Sequence, residues 1–371
     1  MKVLHLNTHL NMGGITNYIL SLTGPLKDLG CETYVAAGGG EMSQTLRDAG
    51  AKVFEISVKT KNELHPKLYG AILQVIRIVR EHRIDLLHAH TRVTQVLAFW
   101  VQRFTGIPVV TTCHGFYKRR LGRRLLGAWG DRAIAISEPV GAHLQNDFKL
   151  PPSKVRLVNN GVNISEIDGL YRQFDPLAEK RAFGFDPSCP VVGVVARLVA
   201  DKGHEYLIRA IARLRDIFSG IRLLIVGDGP HRAALEKLTL ELALEDAVRF
   251  TGNLVRRDVI RALSATDIFA MPATWREGFG LSIVEAMACY KPVIVTNIWS
   301  LNSLVQNNVT GLLIEPKQVE PLAESIALLI RDEAMRRRIG HSAREMTEHF
   351  FSIPRMAAEI LQVYHEILDT P

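Results

Sequence analysis

The chain has 371 residues, and its 45 lysines and arginines outnumber its 38 aspartates and glutamates, which gives a net charge of +7. Because 47% of the residues are hydrophobic and 22% are charged, the composition excludes disordered and collagen-like chains. The length predicts two domains or one large one. No apolar run reaches the roughly 18 residues of a membrane-spanning helix, and the N-terminus matches a buried strand better than a signal peptide.

Four cysteines lie far apart along the chain, at Cys31, Cys113, Cys189 and Cys289. Their spacing matches neither a zinc ribbon nor a disulfide framework. Because free thiols are typical of reducing compartments, we expect a cytoplasmic protein.

Short β-branched runs alternate with helical patterns along almost the whole chain. Because the runs are apolar on both faces, they predict parallel sheets covered by helices. The first half holds strand candidates at 2–7, 33–37, 52–56, 86–89, 109–112 and 133–136, with helices such as 14–26 and 66–81 between them. The second half holds strand candidates at 191–195, 222–226, 248–250, 268–271, 292–295 and 311–314, with helices that include 204–214, 232–242, 257–265 and 281–289.

The two series meet in a polar stretch between residues 150 and 190 that interrupts the alternation. We therefore expect an α/β protein with two Rossmann-like, doubly wound domains that face a cleft. The expected boundaries are 1–160 and 161–350. The remaining segment, 351–371, carries an apolar stripe at helical spacing and must dock against other parts of the chain.

The stretch 277–285 follows a predicted strand and a proline-containing loop. Gly278 and Gly280, on either side of Phe279, allow a ligand to approach the backbone closely. A helix that begins near Leu281 would point free N–H groups and its positive dipole end at that ligand, which suits a diphosphate.

Two glutamates flank this loop. Glu285 lies one turn inside the helix, where its carboxylate is placed to accept hydrogen bonds from a ribose. Glu277 precedes the helix, on the far side of the phosphates, where a sugar would lie. The order of the parts predicts a nucleotide-sugar site; the alternative is a capped surface helix with two solvated glutamates.

Arg197 and Lys202 follow the first strand of the second half, at the edge where open α/β sheets bind ligands. Two cations there would neutralise a diphosphate and hold the charge that grows as it departs. A pair of ordinary surface cations is the alternative. Gly227 follows the next strand and is either a ligand contact or part of a plain turn. Leu254 is a candidate residue for packing against the base of a nucleotide.

In the first half, Gly13 and Gly14 open a helix but lack the dinucleotide-binding fingerprint. They form either a simple turn or a contact for a phosphate or a sugar ring. His114 follows a buried strand, where it is either a core histidine or a group that orients a sugar or an acceptor hydroxyl. His88 and His90 have no third metal ligand nearby in the sequence, so we interpret them as structural.

Together, these residues resemble the retaining, nucleotide-sugar-dependent glycosyltransferases of family 4 (group 1), which have the GT-B fold. The resemblance covers nearly the whole chain, and its motifs are specific as a set. They are the Gly13-Gly14 loop, His114, the entry 160–162, Arg197 with Lys202, the turn 227–230, the motif 277–285 and the closing helix.

The resemblance implies an acceptor-binding N-terminal domain, a nucleotide-sugar-binding C-terminal domain and a closing helix that packs on the N-terminal domain. It assigns catalytic roles to His114, Arg197, Lys202 and Glu277. The donor-binding residues that we expect are Gly13, Gly14, Arg197, Lys202, Gly227, Leu254, Glu277, Gly278, Phe279, Gly280, Leu281 and Glu285. One departure is that Trp299-Ser300-Leu301-Asn302-Ser303 stands where such enzymes often carry a Gly-Gly-x-Pro-Glu loop.

We expect transfer from a UDP-sugar, with GDP- and ADP-sugars as alternatives, to a hydroxyl of a glycan or lipid-linked acceptor. Such acceptors serve the synthesis of cell-envelope polysaccharide, lipopolysaccharide or glycolipid. The expected chemistry is a front-face substitution without metal ion or cofactor, because Arg197 and Lys202 supply the positive charge. A nucleotide-sugar 2-epimerase of the same fold is the alternative enzyme, and a binding protein with an inactive cleft is the non-enzymatic one.

Five basic residues fall within the seven positions 118–124. Read as a helix, this segment carries an apolar stripe of Leu121, Leu125 and 128–129, a pattern typical of a helix that lies on an anionic membrane. We therefore expect peripheral binding to the inner face of the cell membrane and no nucleic-acid partner. A solvated basic surface loop, or a site for an acidic soluble acceptor, is the alternative. The expected membrane-binding residues are Lys118, Arg119, Arg120, Arg123 and Arg124.

Overall fold

The computed structural model describes residues 1–60, 65–119, 122–123 and 126–369, and the chain forms two compact units. Unit 1 comprises Met1–Gly161 and Ile353–Pro371, and unit 2 comprises Val162–Ser352. Within the described residues, no helix is both long enough and apolar enough to cross a bilayer.

Unit 1 contains a seven-stranded parallel sheet with the order β3-β2-β1-β4-β5-β6-β7. Its strands are β1 Lys2–Leu6, β2 Glu32–Ala37, β3 Lys52–Glu55, β4 Leu86–Ala89, β5 Val109–Cys113, β6 Arg132–Ala135 and β7 Val155–Leu157. Its helices are α1 Gly14–Asp28, α2 Ser43–Asp48, α3 Lys67–His82, α4 Arg92–Thr105 and α5 Glu138–Phe148, with a 3₁₀ turn at Pro152–Lys154. Only β7 among these strands is absent from the sequence-based expectations, because three residues between prolines and asparagines are too few to show a period.

Unit 2 contains a six-stranded parallel sheet with the order β10-β9-β8-β11-β12-β13. Its strands are β8 Val191–Val195, β9 Arg222–Val226, β10 Val248–Phe250, β11 Ile268–Met271, β12 Val293–Thr296 and β13 Gly311–Ile314. Its helices are α6 Ile164–Tyr171, α7 Pro176–Ala182, α8 His204–Arg215, α9 Arg232–Glu241, α10 Arg256–Ser264, α11 Leu281–Ala288, α12 Trp299–Asn302, α13 Val319–Arg331 and α14 Glu333–Phe350, with a 3₁₀ turn at Ala200–Lys202.

The expected fold class is confirmed, since both sheets are doubly wound and parallel. In unit 1 the strand order reverses between β1 and β4, and in unit 2 it reverses between β8 and β11. Ligands of such sheets bind at the carboxyl ends of the strands, at this switch point. The loops that follow these four strands are therefore where a site is expected.

The last helix, α15 Ile353–Leu368, belongs to unit 1. Its apolar face is buried in one cluster with residues of β1 and α1, such as Val3 and Leu22. The Tyr364 hydroxyl lies 2.6 Å from Nδ1 of His88, so the helix also has a buried polar contact with β4. The apolar stripe predicted in the segment 351–371 is thus the face of α15 that packs against the rest of unit 1.

Candidate active site

Two loops of unit 2 meet at the switch point because a glycine lets them approach. Gly203, between the turn after β8 and helix α8, has φ +71, and a Cβ there would lie 1.9 Å from the Pro272 carbonyl oxygen. The Thr274 N–H also donates to the Asp201 carbonyl at 2.8 Å. The loop after β8 is therefore held directly against the loop after β11.

This approach brings Lys202 and Glu277 together. The Lys202 ammonium pairs with the Glu277 carboxylate, and both side chains are about four-fifths buried, with 22% and 19% exposed. The Glu277 N–H donates to the Ser300 hydroxyl at 3.0 Å. Glu277 is thus fixed through its backbone by α12 and through its side chain by the neighbouring loop.

The segment after Glu277 has the predicted form. Gly280 has φ +94 and precedes α11, whose N-terminus carries no side-chain cap. Phe279 is buried against Phe351, with ring centroids 5.8 Å apart, and Leu281 is exposed. The uncapped first turn of α11 presents N–H groups and positive dipole charge beside Gly278, as a diphosphate site requires.

Glu285 belongs to α11, and its side chain is buried against partners that the sequence did not indicate. Its Oε1 accepts from Arg256 Nη1 at 2.5 Å, and Arg256 Nε donates to Glu166 at 3.0 Å. Burial raises the pKa of Glu285, while Arg256 opposes the shift by favouring the carboxylate. Among the described residues, no group bonds to Oε2 of Glu285, so one oxygen is available to a ligand hydroxyl.

Arg197 follows β8 and is exposed. No described residue forms an ion pair with it, which leaves its guanidinium available for an anion. The neighbouring Gly227 has a packing role, since a Cβ there would lie 2.1 Å from the Ala196 carbonyl oxygen. Leu254 is half-buried and packs against the apolar cluster that contains Leu224 and Val226.

The segment 299–303 begins with the short helix α12 in place of an extended loop. Trp299 is 56% exposed, whereas Ser300 is buried and accepts from the Glu277 N–H. The segment that departs from the family pattern therefore supplies a contact that positions Glu277.

In unit 1, Gly13 and Gly14 lie at the start of α1, after the switch-point strand β1. A Cβ on Gly14 would meet nothing within 4 Å, and one on Gly13 would meet only the Asn11 carbonyl oxygen, at 4.0 Å. Packing within the protein does not require these glycines, so the open space in front of α1 is available to a ligand.

His114 follows β5 and is half-buried, and its surroundings lower its pKa to about 3 by desolvation. Its Nε2 lies 3.2 Å from Nδ1 of His90, which is fully buried after β4. The neighbouring Cys113 is also buried, and burial raises the pKa of its thiol to about 12, so it is not a reactive thiolate.

His88 and His90 have a third histidine beside them in space, although none lies nearby in the sequence. Strand β1 pairs with β4 and places His5 opposite His88. One nitrogen from each of these three buried histidines lies within 4.8 Å of the others. Sequence spacing could not reveal this cluster, because His5 is more than eighty residues away along the chain.

The structure also corrects part of the prediction for the basic segment. Residues 128 and 129, expected on an exposed stripe, are both buried, because Trp129 packs against Phe148 with ring centroids 5.1 Å apart. Lys118 and Arg119 are exposed, and Arg119 pairs with Asp147. The Arg123 guanidinium lies 4.1 Å from the centroid of the Tyr117 ring. The remaining members of the segment lie outside the described residues: Arg120, Leu121, Arg124 and Leu125.

The predicted site residues thus fall into two groups. Those of unit 2 surround the carboxyl ends of β8 and β11, where Lys202 contacts Glu277. Those of unit 1 lie after β1 and β5. Sequence reasoning missed Arg256, Ser300 and His5, and only the position of Arg256, at the first turn of a helix after a ligand-side loop, gave any signal.

Comparisons with known proteins agree with this architecture. Residues 12–166 match the family model for Glycosyltransferase Family 4, and residues 177–346 match that for Glycosyl transferases group 1. A D-inositol 3-phosphate glycosyltransferase of Kribbella flavida is 26% identical over 91% of this chain and 87% of its own length.

Two solved structures share the fold over the whole chain. A glycosyltransferase from Rickettsia africae superposes with a TM-score of 0.88 at 23% identity, over 100% of this chain and 99% of that one. The Anabaena protein HepE, solved in complex with UDP-glucose, superposes with a TM-score of 0.80 at 23% identity, over 100% of both chains. The chain belongs to the group 1 glycosyltransferases, and the protein is a glycosyltransferase with the GT-B fold.

Proposed function

We propose that the protein transfers a sugar, with retention of its anomeric configuration, from a UDP-sugar to a hydroxyl of a glycan or lipid-linked acceptor. The observation that carries the proposal is the contact between Lys202 and Glu277, directly ahead of the uncapped N-terminus of α11. A cation, helix N–H groups and a carboxylate that follow one another in this way support binding of a nucleotide sugar.

In this proposal the diphosphate binds to Arg197, Lys202 and the first turn of α11. The free oxygen of Glu285 accepts from the ribose, and Arg256 keeps that carboxylate charged. Glu277 accepts from hydroxyls of the donor sugar. The choice of UDP is supported by the structural similarity to HepE, whose complex contains UDP-glucose.

The transfer proceeds on one face of the sugar. The bond between the anomeric carbon and the diphosphate oxygen breaks, and its electron pair leaves with the nucleoside diphosphate. The acceptor oxygen bonds to the anomeric carbon from the same face, and its proton passes to the leaving phosphate. Arg197 and Lys202 hold the charge that develops on that phosphate, so the step as proposed needs no metal ion.

The proposed role of His114 is to orient the donor sugar or the acceptor hydroxyl. Its position after β5 in unit 1 and its lowered pKa support a neutral hydrogen-bonding group at that edge. The open space at Gly14 supports close approach of a substrate to the start of α1.

One experiment tests both the donor and the stereochemistry. The protein is incubated with UDP-, GDP- and ADP-sugars and a panel of glycan, glycolipid and inositol phosphate acceptors, and the new linkage is read by proton NMR. The proposal expects a UDP-sugar to give a product with the anomeric configuration of the donor. An inverted product would contradict the proposed mechanism, and a new nucleotide sugar formed without acceptor would identify an epimerase instead.

We also propose that the exposed Lys118 and Arg119 contact an anionic membrane that carries the acceptor. Their exposure and the basic sequence around them support this contact. Flotation with vesicles of phosphatidylcholine alone, or with added phosphatidylglycerol, tests it. Binding only to the anionic vesicles is expected, and equal binding to both kinds or to neither would overturn the proposal.

A further inference from the structure

Three histidines of unit 1 form a hydrogen-bonded chain that leads from the sheet interior to the ligand edge. Nδ1 of His5 lies 3.0 Å from Nε2 of His90, and Nδ1 of His90 lies 3.2 Å from Nε2 of His114. The rings of His5 and His90 are stacked, with an interplanar angle of 8°. Each contact between these rings thus joins Nδ1 of one histidine to Nε2 of the next.

The inner end of this chain is closed. His5 and His90 have no exposed surface, and no group of the described residues forms a hydrogen bond with Nε2 of His5. Burial lowers the pKa of His5 to about 3 and that of His90 well below its usual value, so both rings are neutral near pH 7.

Because each neutral imidazole carries one N–H, only two proton arrangements keep both hydrogen bonds between the three rings. In the first, every Nδ1 is protonated and Nε2 of His5 is a buried lone pair without a partner. In the second, every Nε2 is protonated and His5 buries an N–H without a partner. Since buried donors without partners are rarer than under-used acceptors, the first arrangement is favoured.

The protonation of His114, at the outer end of the row of histidines, is then determined. In the first arrangement, Nε2 of His114 accepts from His90, and its proton must lie on Nδ1. No described residue bonds to Nδ1 of His114, so that N–H is available to a ligand. The tautomer of a histidine is set by the hydrogen bond that its other nitrogen makes.

We propose that His90, itself oriented by His5, is a positioning residue that holds His114 as the Nδ1–H tautomer, so that His114 donates a hydrogen bond to a substrate oxygen. His114 is then a donor and not a general base. This role fits a reaction in which the leaving phosphate takes the acceptor proton.

The third buried histidine has a different set of partners. Nδ1 of His88 lies 2.6 Å from the Tyr364 hydroxyl, and its Nε2 lies 2.7 Å from the Thr112 hydroxyl. Both nitrogens are therefore engaged outside the chain, and a metal ion could bind His88 only by displacing one of these hydroxyls. His88 is a matched control for the proposal, since it is equally buried but not in line with His114.

The first test reads the tautomer directly in the wild-type protein. Long-range proton–nitrogen correlation spectra of protein labelled with ¹⁵N-histidine distinguish the two nitrogens, and the His114→Gln variant assigns the signal. The expected result is a neutral His114 protonated at Nδ1. A proton on Nε2 would overturn the proposal, and this result does not depend on the proposed function.

The second test asks whether His90 acts through His114. We expect His90→Phe to release His114 to the Nε2–H tautomer and to lower kcat/KM for the donor about tenfold, whereas His88→Gln leaves the His114 signal unchanged. In a His114→Ala background, His90→Phe should cause no further loss. An unchanged His114 tautomer in His90→Phe, or additive losses in the double variant, would overturn the proposal. The kinetic part of this test rests on the proposed function. If His114 has the expected tautomer but the protein transfers no sugar, only the proposed function is refuted.

Discussion

At the scale of single residues, the site in unit 2 sets a cation directly against a carboxylate. The Lys202 ammonium pairs with Glu277, and both are held in loops tied together by backbone contacts. In the proposed function, a diphosphate competes with Glu277 for Lys202, and Glu277 then becomes available for sugar hydroxyls. In that case the pair would couple binding of the phosphates to binding of the sugar.

Replacing the cation tests this coupling. Lys202→Met removes a charge-assisted contact to the departing diphosphate, and we expect kcat/KM to fall by about 10²–10³, the usual cost of one such donor. The control is Lys237→Met, because Lys237 lies on the exposed face of α9 with 76% of its side chain in solvent. Steady-state kinetics with the donor checks the prediction, and equal rates for the two variants would contradict it.

The glycine at the start of α1 allows a separate test. Gly14→Ala adds a methyl group that meets nothing within 4 Å, and alanine favours a helix over glycine by about 0.5–1 kcal/mol. The variant should therefore be as stable as the wild type, or more so, in urea unfolding. If a substrate approaches this backbone, KM should rise several-fold, whereas unchanged kinetics would show that the glycine contacts no ligand.

At the scale of elements, the strands and helices are largely readable from sequence, and the contacts between loops are not. Runs such as 191–195 and 222–226 are buried strands with the expected bounds. The spacing of apolar residues and the local composition indicate which segments are buried, so they locate these strands and helices. They carry no information on which loops meet, which is why the contacts of Arg256 with Glu285 and of Ser300 with Glu277 required the structure.

The junction of the two loops at Gly203 makes a prediction at this scale. In Gly203→Ala the new Cβ would lie 1.9 Å from the Pro272 carbonyl oxygen, so the loops must separate. We expect a loss of stability of about 1–3 kcal/mol and a large loss of activity. The control is Gly30→Ala, since Gly30 has a similar φ of +79 and nothing within 4 Å.

Thermal and urea unfolding of both variants separate backbone strain from the collision between the loops. Gly30→Ala reports the strain of a left-handed alanine alone, and the additional loss in Gly203→Ala reports the collision between loops. Equal losses for the two variants would contradict the account of this junction.

At the scale of the whole molecule, buried neutral histidines link stability to pH. Burial lowers the pKa of His5 from 6.5 to about 3, so as pH falls below 6.5 the unfolded chain gains a proton that the folded chain does not. Stability from this group is complete above pH 6.5 and falls by about 1.4 kcal/mol per pH unit between 6.5 and 3. His88 and His90 add to this dependence in the same direction.

Urea unfolding between pH 7.5 and 5.0 checks this prediction through signals of unit 1. The expected result is a midpoint that falls steadily below pH 6.5, with a shallower slope in His5→Phe. A midpoint in the wild type that does not change with pH would contradict the burial of neutral histidines.

The proposed functions assign the positive charge of the molecule to two separate places. Arg197 and Lys202 lie at the carboxyl ends of strands in unit 2, whereas Lys118 and Arg119 lie on the surface of unit 1. The sequence predicts that Arg197 and Lys202 follow a strand, and the structure places them there. The sequence did not predict that Trp129 is buried, because burial of a single aromatic residue depends on distant partners such as Phe148.

Calorimetric titration with UDP tests the proposed donor site without requiring an acceptor. We expect the wild-type protein to bind UDP and Lys202→Met to bind it at least tenfold more weakly, with Lys237→Met unchanged. Failure of the wild type to bind UDP, or equal affinity in Lys202→Met, would contradict the assignment of the donor site to Lys202, Glu277 and the first turn of α11.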